Sequence, residues 1–239
     1  MYLPWPGFLA LMSKADVLIW LDDVQYSKGS FTNRVQFLFN GKPKWLTISL
    51  EGKGSFQKIS QIRPNSDEWV LKHQEMIVES LRNYPFRESS FQLFEEFKKN
   101  AHNGPLYEAI INSCEVLANY LDILPQTILR SSDLNAKGSS SERVLNLVKS
   151  VSGTNYITAH GAAKYLDHLL FEKNNVSVEY MDYNFDKWPQ EIDEFTPYLS
   201  SLDLISAVTR TEAKKRLNLD TLIWHKFINN QLSIPIKTL

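Results

Sequence analysis

Residues 17–21 constrain the fold more than any other stretch, because they form an apolar run with no polar alternation. Such a run predicts a strand buried on both faces, the usual state of a strand inside a parallel sheet. The run ends at Asp22 and Asp23. Ligands of open α/β sheets bind just beyond the carboxyl ends of the strands. The sequence therefore predicts a functional site at this strand exit.

Strand and helix patterns alternate in the second half of the chain. Strands are predicted at 127–130, 156–158 and 176–181, and helices at 140–151 and 161–173. This alternation predicts an α/β fold with a mainly parallel, Rossmann-like sheet and flanking helices. Asn40-Gly41 is a strong hairpin signal and predicts a β-hairpin that extends the sheet. Three amphipathic patterns predict a helical insertion at about 66–122 within a single domain, 1–239.

The composition is typical of a globular protein, with 43% hydrophobic and 22% charged residues. Lys plus Arg number 26 and Asp plus Glu 27, so the formal charge of −1 gives no global attraction to nucleic acid or an anionic membrane. Cys114 is the single cysteine, which excludes an internal disulfide and is consistent with a reducing compartment. No apolar run approaches the ~20 residues that span a bilayer. We therefore expect a cytoplasmic protein with no membrane insertion.

The two strand-end acids are the first candidates for chemistry. Because Asp22 and Asp23 are adjacent, a regular strand would point them to opposite faces, so that they could not both serve one atom. One of them could bind Mg²⁺ or accept a proton, and the alternative is a hydrogen-bonded turn. Arg34 suits phosphate or a carboxylate, and the alternative is a salt bridge to Asp22 or Asp23. The polar residues between them are further candidates for substrate binding: Gln25, Tyr26, Lys28 and Asn33.

Two strand-to-helix junctions carry a second group of candidates. Lys137 and Ser139 could hold phosphate at a helix start, although Ser139 and Glu142 also have the spacing of a capping box. At the other junction, His160 beside Gly161 could act as a general acid or base, or be an ordinary loop histidine. Three remaining histidines show no metal-ligand spacing, so we predict no zinc site: His73, His102 and His225.

Several motifs in order along the chain resemble those of the WbqC-like family, which is often associated with O-antigen or other surface-polysaccharide biosynthesis. The motifs are Tyr2-Leu-Pro-Trp5-x-Gly-Phe, Leu21-Asp-Asp-Val-Gln-Tyr26-x-Lys28, Asn33-Arg34, Tyr156-Ile-x-x-x-Gly161, Tyr165-Leu-Asp167 and Trp188-Pro-Gln190. Family members usually begin with a short strand ending in Gln-Pro, which this chain lacks before Tyr2. We expect its loss to uncover a sheet edge and remove part of the site.

The resemblance implies a cytosolic transferase acting on a nucleotide-linked amino sugar, by acyl or aminoacyl (glycyl) transfer. The motif positions Tyr2, Trp5, Tyr165 and Gln190 join the substrate-binding candidates, since aromatic rings such as Trp5 can stack on a sugar or a base. The alternative is a non-catalytic module that binds a nucleotide-sugar or a partner enzyme. Convergence of the candidates on one pocket would favour the enzyme, and their dispersal would favour the module.

Overall fold

The computed structural model describes residues 1–54, 56–101 and 104–232. Within them, no helix is long and apolar enough to cross a membrane. The first half contains α1 (Pro6–Ser13), β1 (Val17–Trp20), β2 (Arg34–Phe39), β3 (Lys42–Thr47), α2 (Trp69–Leu81), α3 (Arg87–Asn100) and α4 (Leu106–Tyr120). The second half contains β4 (Thr127–Arg130), α5 (Ser140–Ser150), β5 (Asn155–Thr158), α6 (His168–Lys173), β6 (Ser177–Met181), α7 (Ser201–Ala207), α8 (Arg210–Arg216), β7 (Thr221–Ile223) and α9 (Trp224–Leu232).

The strands form three small sheets. β1 and β4 make a parallel pair, β2 and β3 an antiparallel hairpin, and β5, β6 and β7 a sheet in which β5 and β6 run parallel. The α/β class is confirmed, but in the described residues no single Rossmann-like sheet joins these pieces. The strands are only three to six residues long. Such short strands leave little backbone on which a wide sheet could be built.

The hairpin forms as predicted, but as a sheet of its own. Asn40 and Gly41 both have positive φ, 53° and 69°, as a two-residue type I′ connection requires. The register pairs Phe39 with Lys42 and Arg34 with Thr47. In the described residues β2 and β3 form a two-stranded sheet, and a single bridge joins Gln36 to Leu199. The hairpin therefore does not extend the β1–β4 pair.

Two sequence expectations are wrong in detail. β1 is not buried on both faces: Leu18 and Trp20 are buried, Val17 and Ile19 lie at intermediate exposure, and Leu21 is 41% exposed. The face of β1 that carries Val17 and Ile19 is therefore only partly covered. The helix expected at 161–173 splits into a short 3₁₀ helix, His160–Lys164, and α6.

The split has a local cause in the capping chemistry of α6. The side chain of Asp167 accepts a hydrogen bond from the backbone N–H of Leu170 at 3.1 Å, so α6 starts afresh at this residue. The backbone N–H of Asp167 in turn donates to the Ser141 hydroxyl at 2.9 Å. This bond ties the break to α5.

Buried side chains form two clusters. The first core contains α1 to α4, α7 and α8 with β1 to β3, and the second core contains α5, α6 and α9 with β5 and β6. The helices of the predicted insertion therefore pack into the first core together with the opening residues. In that core the Tyr2 hydroxyl is 3.0 Å from Nδ1 of His73. Polar residues that follow β1 and β4 lie where the first core meets α5.

Candidate functional site

The predicted site lies where two parallel strands end side by side. β1 and β4 pair in register along their whole length, so their carboxyl ends lie at the same edge. Asp22 and Asp23 follow β1, and Ser131 and Ser132 follow β4. These four polar side chains hydrogen bond to one another across the strand ends. The strand-end position follows the general rule for ligand sites of α/β sheets.

Asp22 fastens the two strand ends together. It is 4% exposed, and its carboxylate accepts hydrogen bonds from Ser132: the backbone N–H reaches Oδ1 at 3.1 Å and the hydroxyl reaches Oδ2 at 2.7 Å. A buried carboxylate needs such donors because it has lost its water. Ser132 is exposed, so it separates the buried Asp22 from solvent.

Asp23 is the more accessible carboxylate, with a side chain 21% exposed. It accepts hydrogen bonds from the Ser131 hydroxyl at 2.6 Å and from Nη2 of Arg143 at 2.6 Å. Burial raises the pKa of Asp23, but the bonds from Ser131 and Arg143 and the charge of Arg143 outweigh it, so the pKa is lowered from its usual value. Asp23 is therefore ionised at neutral pH.

The expectation that the two acids point to opposite faces is wrong. The Ser131 hydroxyl lies 3.1 Å from Oδ1 of Asp22 and 2.6 Å from Oδ1 of Asp23. Strand geometry has already ended at Trp20, and the backbone N–H of Asp22 donates to the Trp20 carbonyl at 3.1 Å in a tight turn. Two like charges thus meet near one hydroxyl, and the guanidinium of Arg143 offsets their repulsion.

Sequence reasoning missed Ser131, Ser132 and Arg143 as members of this site. A usable signal exists for the serines, since they follow a predicted strand just as Asp22 and Asp23 do. Arg143 lies in the first turns of α5, and nothing local to it indicates a partner 120 residues earlier in the chain.

Arg34 lies away from the carboxylates, on the hairpin. Its guanidinium stacks over the Trp45 ring at 4.2 Å and donates to the Gly29 carbonyl. The alternative role considered for Arg34, a salt bridge to Asp22 or Asp23, is absent from the described residues, and Arg143 forms the ion pair with Asp23. Lys28 is exposed next to Gly29. Both cations adjoin Gly29, Lys28 in the chain and Arg34 through its hydrogen bond, and we call these two residues the cationic spot.

The other candidates of this segment brace the loop before the hairpin. The Tyr26 hydroxyl donates to Oδ1 of Asn33 at 2.8 Å, and Nδ2 of Asn33 donates to the Ile48 carbonyl at 2.7 Å. Both residues are buried. Gln25 is exposed and forms an isolated antiparallel bridge with Lys58.

Lys137 and Ser139 are both exposed at the start of α5. Ser139 occupies the N-cap position of α5, but its side chain makes no capping hydrogen bond, so the expected capping box does not form. The Glu142 carboxylate instead lies over Gly138, whose φ is +95°. A carboxylate at this position disfavours an anion at the helix start.

His160 and Gly161 lie at the end of β5, in the second core's sheet. His160 is exposed, its Nε2 is 2.7 Å from the Met181 carbonyl, and its ring lies 4.9 Å from that of Tyr183. Tyr165 ends the 3₁₀ helix and is 53% exposed.

The remaining candidates have different surroundings. Tyr2 is fully buried, whereas Trp5 is half-buried against Tyr183 and Tyr198, at ring distances of 4.8 and 5.4 Å. Gln190 donates to the Thr196 carbonyl at 2.8 Å and, more weakly, to Asp203 at 3.3 Å. Asp203 is a buried carboxylate apart from the strand-end site.

Within the described residues, no group of three or more His, Cys, Asp or Glu side chains is arranged to hold a metal ion. His102 lies outside the described residues. Asp22 and Asp23 do not fit Mg²⁺ as they stand. Hydroxyl and backbone donors occupy the lone pairs of Asp22, and the positive guanidinium of Arg143 lies where a cation would approach Asp23.

Two surface cavities lie away from the carboxylates. One, of about 300 Å³, is lined by Asp16 and Gln126, at the opposite ends of β1 and β4 from Asp22 and Asp23. The other, of about 230 Å³, lies beside the starts of α2 and α4 and is lined by Trp69 and Leu106.

The fold and site define an α/β protein with an ionic cluster at the carboxyl ends of paired parallel strands. The chain belongs to the WbqC-like protein family, whose sequence model matches residues 1–215. It is similar to the uncharacterized protein Rv1507c of Mycobacterium tuberculosis, with 27% identity over 212 residues that cover 85% of this chain and 89% of that protein. No solved structure matches the chain. The family predicted from the motifs is therefore confirmed.

Proposed function

We propose that this protein is a cytosolic transferase of bacterial surface-polysaccharide biosynthesis that acylates or aminoacylates (glycylates) a nucleotide-linked amino sugar. The observation that carries the proposal is Asp23, an ionised and partly accessible carboxylate at the paired carboxyl ends of β1 and β4. Sites of α/β proteins are built at such strand ends. The substrate class comes from the resemblance to the WbqC-like family.

The proposed chemistry assigns different roles to the two acids. In acyl transfer the amine nitrogen attacks the carbonyl carbon of an activated donor, an N–C bond forms, the bond to the leaving group breaks, and the leaving group takes the proton that the nitrogen loses. Asp23 is a weak base because its pKa is lowered. We assign it the role of accepting a hydrogen bond from the amine and balancing the positive charge that develops on nitrogen. Asp22 positions the strand ends.

Phosphate recognition is assigned to the cationic spot on the hairpin side. Lys28 is exposed and Arg34 is partly exposed, and both adjoin Gly29. A guanidinium and an ammonium together suit a diphosphate, one by paired hydrogen bonds and the other as a point charge.

The test is a transfer assay read by mass spectrometry. The protein is incubated with nucleotide-linked amino sugars and with acyl or aminoacyl donors, and the product appears as the mass of the sugar nucleotide plus the transferred group. We expect Asp23→Asn to lower kcat/KM by about a hundredfold, because a preorganised charge is lost. The matched control is Asp133→Asn, an exposed acid two residues beyond Ser131. Equal turnover of both variants would refute the assignment.

One observation favours a second candidate, a non-catalytic module that binds a nucleotide-sugar or a partner enzyme. Arg34, Lys137 and His160 lie on the hairpin, at the start of α5 and after β5, and no hydrogen bond, ion pair or ring contact joins any of them to Asp22 or Asp23. This candidate predicts nucleotide-sugar binding, visible as a rise in melting temperature, with no transferred mass.

A further inference from the structure

A second strand end in the molecule carries a group of aromatic side chains. β5 and β6 run parallel, so His160 after β5 and Tyr183 after β6 lie at the same edge of their sheet. Their rings are 4.9 Å apart. Trp5 lies 4.8 Å from Tyr183 and 5.4 Å from Tyr198. We call these four side chains the aromatic surface: Trp5, His160, Tyr183 and Tyr198.

The hydrogen bond of His160 fixes its tautomer. Nε2 lies 2.7 Å from the Met181 carbonyl, and a carbonyl can only accept, so Nε2 carries the hydrogen. In the neutral ring the lone pair is then on Nδ1. Among the described residues, no hydrogen bond to Nδ1 is formed, and His160 is exposed. In the aromatic surface, Nδ1 of His160 is thus a hydrogen-bond acceptor that a ligand can reach.

The rings of the aromatic surface are open to a ligand and held in place. Tyr198 is 55% exposed, and Trp5 and Tyr183 are half-buried. The Trp5 ring folds back over Gly7, where an added Cβ would come within 2.1 Å of it. Trp5 therefore needs glycine at this position. Rings fixed by packing lose little entropy when a ligand stacks on them.

We propose that the aromatic surface is a saccharide subsite, in which the apolar face of one pyranose ring stacks on Trp5 and Tyr198 while a sugar hydroxyl donates to Nδ1 of His160. A pyranose combines an apolar C–H face with a rim of hydroxyl donors, and the surface offers the complementary aromatic faces and acceptor. Among the described residues no lysine or arginine stacks on these rings, so the surface suits a neutral sugar rather than a phosphate. This subsite does not depend on the transferase chemistry proposed for Asp23.

The test uses uncharged probes without nucleotide or donor: the methyl glycosides of glucose, galactose, mannose, fucose, N-acetylglucosamine and N-acetylgalactosamine. Saturation-transfer NMR and tryptophan fluorescence titrations measure their affinity. We expect saturable binding of at least one probe, with affinity lowered about tenfold by Tyr198→Ala. His160→Phe keeps a ring against Tyr183 but removes the acceptor, and we expect a loss of similar size.

The matched control is Phe86→Ala, which removes a ring that is 40% exposed and lies outside the aromatic surface. Its affinity should equal that of the unmodified protein. No binding of any probe to the unmodified protein would overturn the proposal, and so would equal affinities of Tyr198→Ala and Phe86→Ala. If His160→Phe fails to fold, as judged by circular dichroism, the Tyr198→Ala comparison decides alone. Because no probe can be a transfer substrate, failure of the transfer assay leaves this result unaffected.

Discussion

Both parallel strand pairs have polar or aromatic side chains just beyond their carboxyl ends, but the chemistry of these side chains differs between the two pairs. After β1 and β4 the chain places two acids, two serines and Arg143 in one hydrogen-bonded cluster. After β5 and β6 it places His160 among aromatic rings, with one hydrogen bond to the backbone. The comparison teaches that strand direction determines where a site can form, whereas the few residues after each strand determine what it can bind.

The two ends should also differ in how they tolerate change. The ionic end depends on matched donors and acceptors, so that removal of one partner leaves another buried and unsatisfied. The aromatic end depends on ring contacts and partly exposed side chains, which lose less when one is removed. Substitutions at the two ends should therefore have unequal costs.

The largest effect is expected at Asp22. Asp22→Ala removes a buried carboxylate that accepts hydrogen bonds from the backbone N–H and the hydroxyl of Ser132 and lies 3.1 Å from the buried Ser131 hydroxyl, and we expect a loss of about 4 kcal/mol in the free energy of unfolding. At the aromatic end, His160→Ala removes one hydrogen bond at an exposed residue and should cost about 1 kcal/mol. Urea denaturation followed by circular dichroism measures both values. Equal costs would remove the physical distinction between the two ends.

The positions of the ionic site could be predicted from sequence, but its partners could not. An apolar run followed by two acids is a local pattern, and Asp22 and Asp23 do lie at a strand end. Their partners come from 108 to 120 residues later, and which strand pairs with β1 is decided by packing of the whole first core. Regular strand geometry was the wrong assumption for Asp23, because the turn begins before it.

The aromatic end was less predictable for the same reason. His160 was identified from a strand-to-helix junction, but its neighbours come from distant segments: Tyr183 from the end of β6, Phe227 from α9, and Trp5, through Tyr183, from the start of α1. The predicted helix at 161–173 failed because periodicity does not register an internal cap such as Asp167. Short motifs thus mark where chains turn, and tertiary packing decides what meets there.

Asp203 is a buried carboxylate whose hydrogen-bond donors are neutral side chains, and it can be compared with Asp23, whose donors include a cation. The second-largest effect on stability is expected here. Asp203 is 1% exposed and accepts hydrogen bonds from Tyr84 at 2.7 Å and Trp188 at 2.8 Å. Burial raises its pKa to about 6 despite these bonds. Because the folded state holds this proton more tightly than the unfolded state, the group stabilises the fold at low pH, and this contribution is lost as pH rises through about 6.

Asp203→Asn cannot titrate, so it should lack this pH dependence. The difference in unfolding free energy between variant and unmodified protein should change by about 3 kcal/mol between pH 3 and pH 7. Subtracting the two curves cancels the other titrating groups, including His73, whose pKa burial lowers to about 4. A difference that stays constant with pH would show that Asp203 titrates normally.

Arg143 allows a direct test of what the ionic end gains from its cation. Arg143→Ala should raise the pKa of Asp23 and lower the unfolding free energy at neutral pH by about 2 kcal/mol, since both side chains are mostly buried. Asp23 with a lowered pKa stabilises the fold above its unfolded pKa, and this contribution is lost as pH falls through the folded value. The deficit of the variant should therefore shrink in acid.

Carbon-detected NMR titration of the Asp23 carboxyl measures that pKa, and urea denaturation measures the deficit. Arg143→Lys is the control, because it keeps the charge and should retain most of the pKa shift. An unchanged Asp23 pKa in Arg143→Ala would mean that the hydrogen bonds from Ser131 and the backbone account for the lowering without the ion pair.

The smallest effect on stability is expected at Gly7, where the aromatic end can be altered without deleting a ring. In Gly7→Ala the new Cβ would meet the Trp5 ring at 2.1 Å, so the indole must move away from the aromatic surface. Alanine favours a helix by about 1 kcal/mol over glycine, which offsets much of the lost packing. We expect a net change within about 1 kcal/mol together with a changed tryptophan emission spectrum. Gly104→Ala is the control, because its Cβ would meet no atom of the described residues within 4 Å. If the emission spectrum of Gly7→Ala equalled that of the unmodified protein, the position of the Trp5 ring would not depend on this glycine. The side chains of the aromatic end would then have less fixed positions than the hydrogen-bonded side chains of the ionic end.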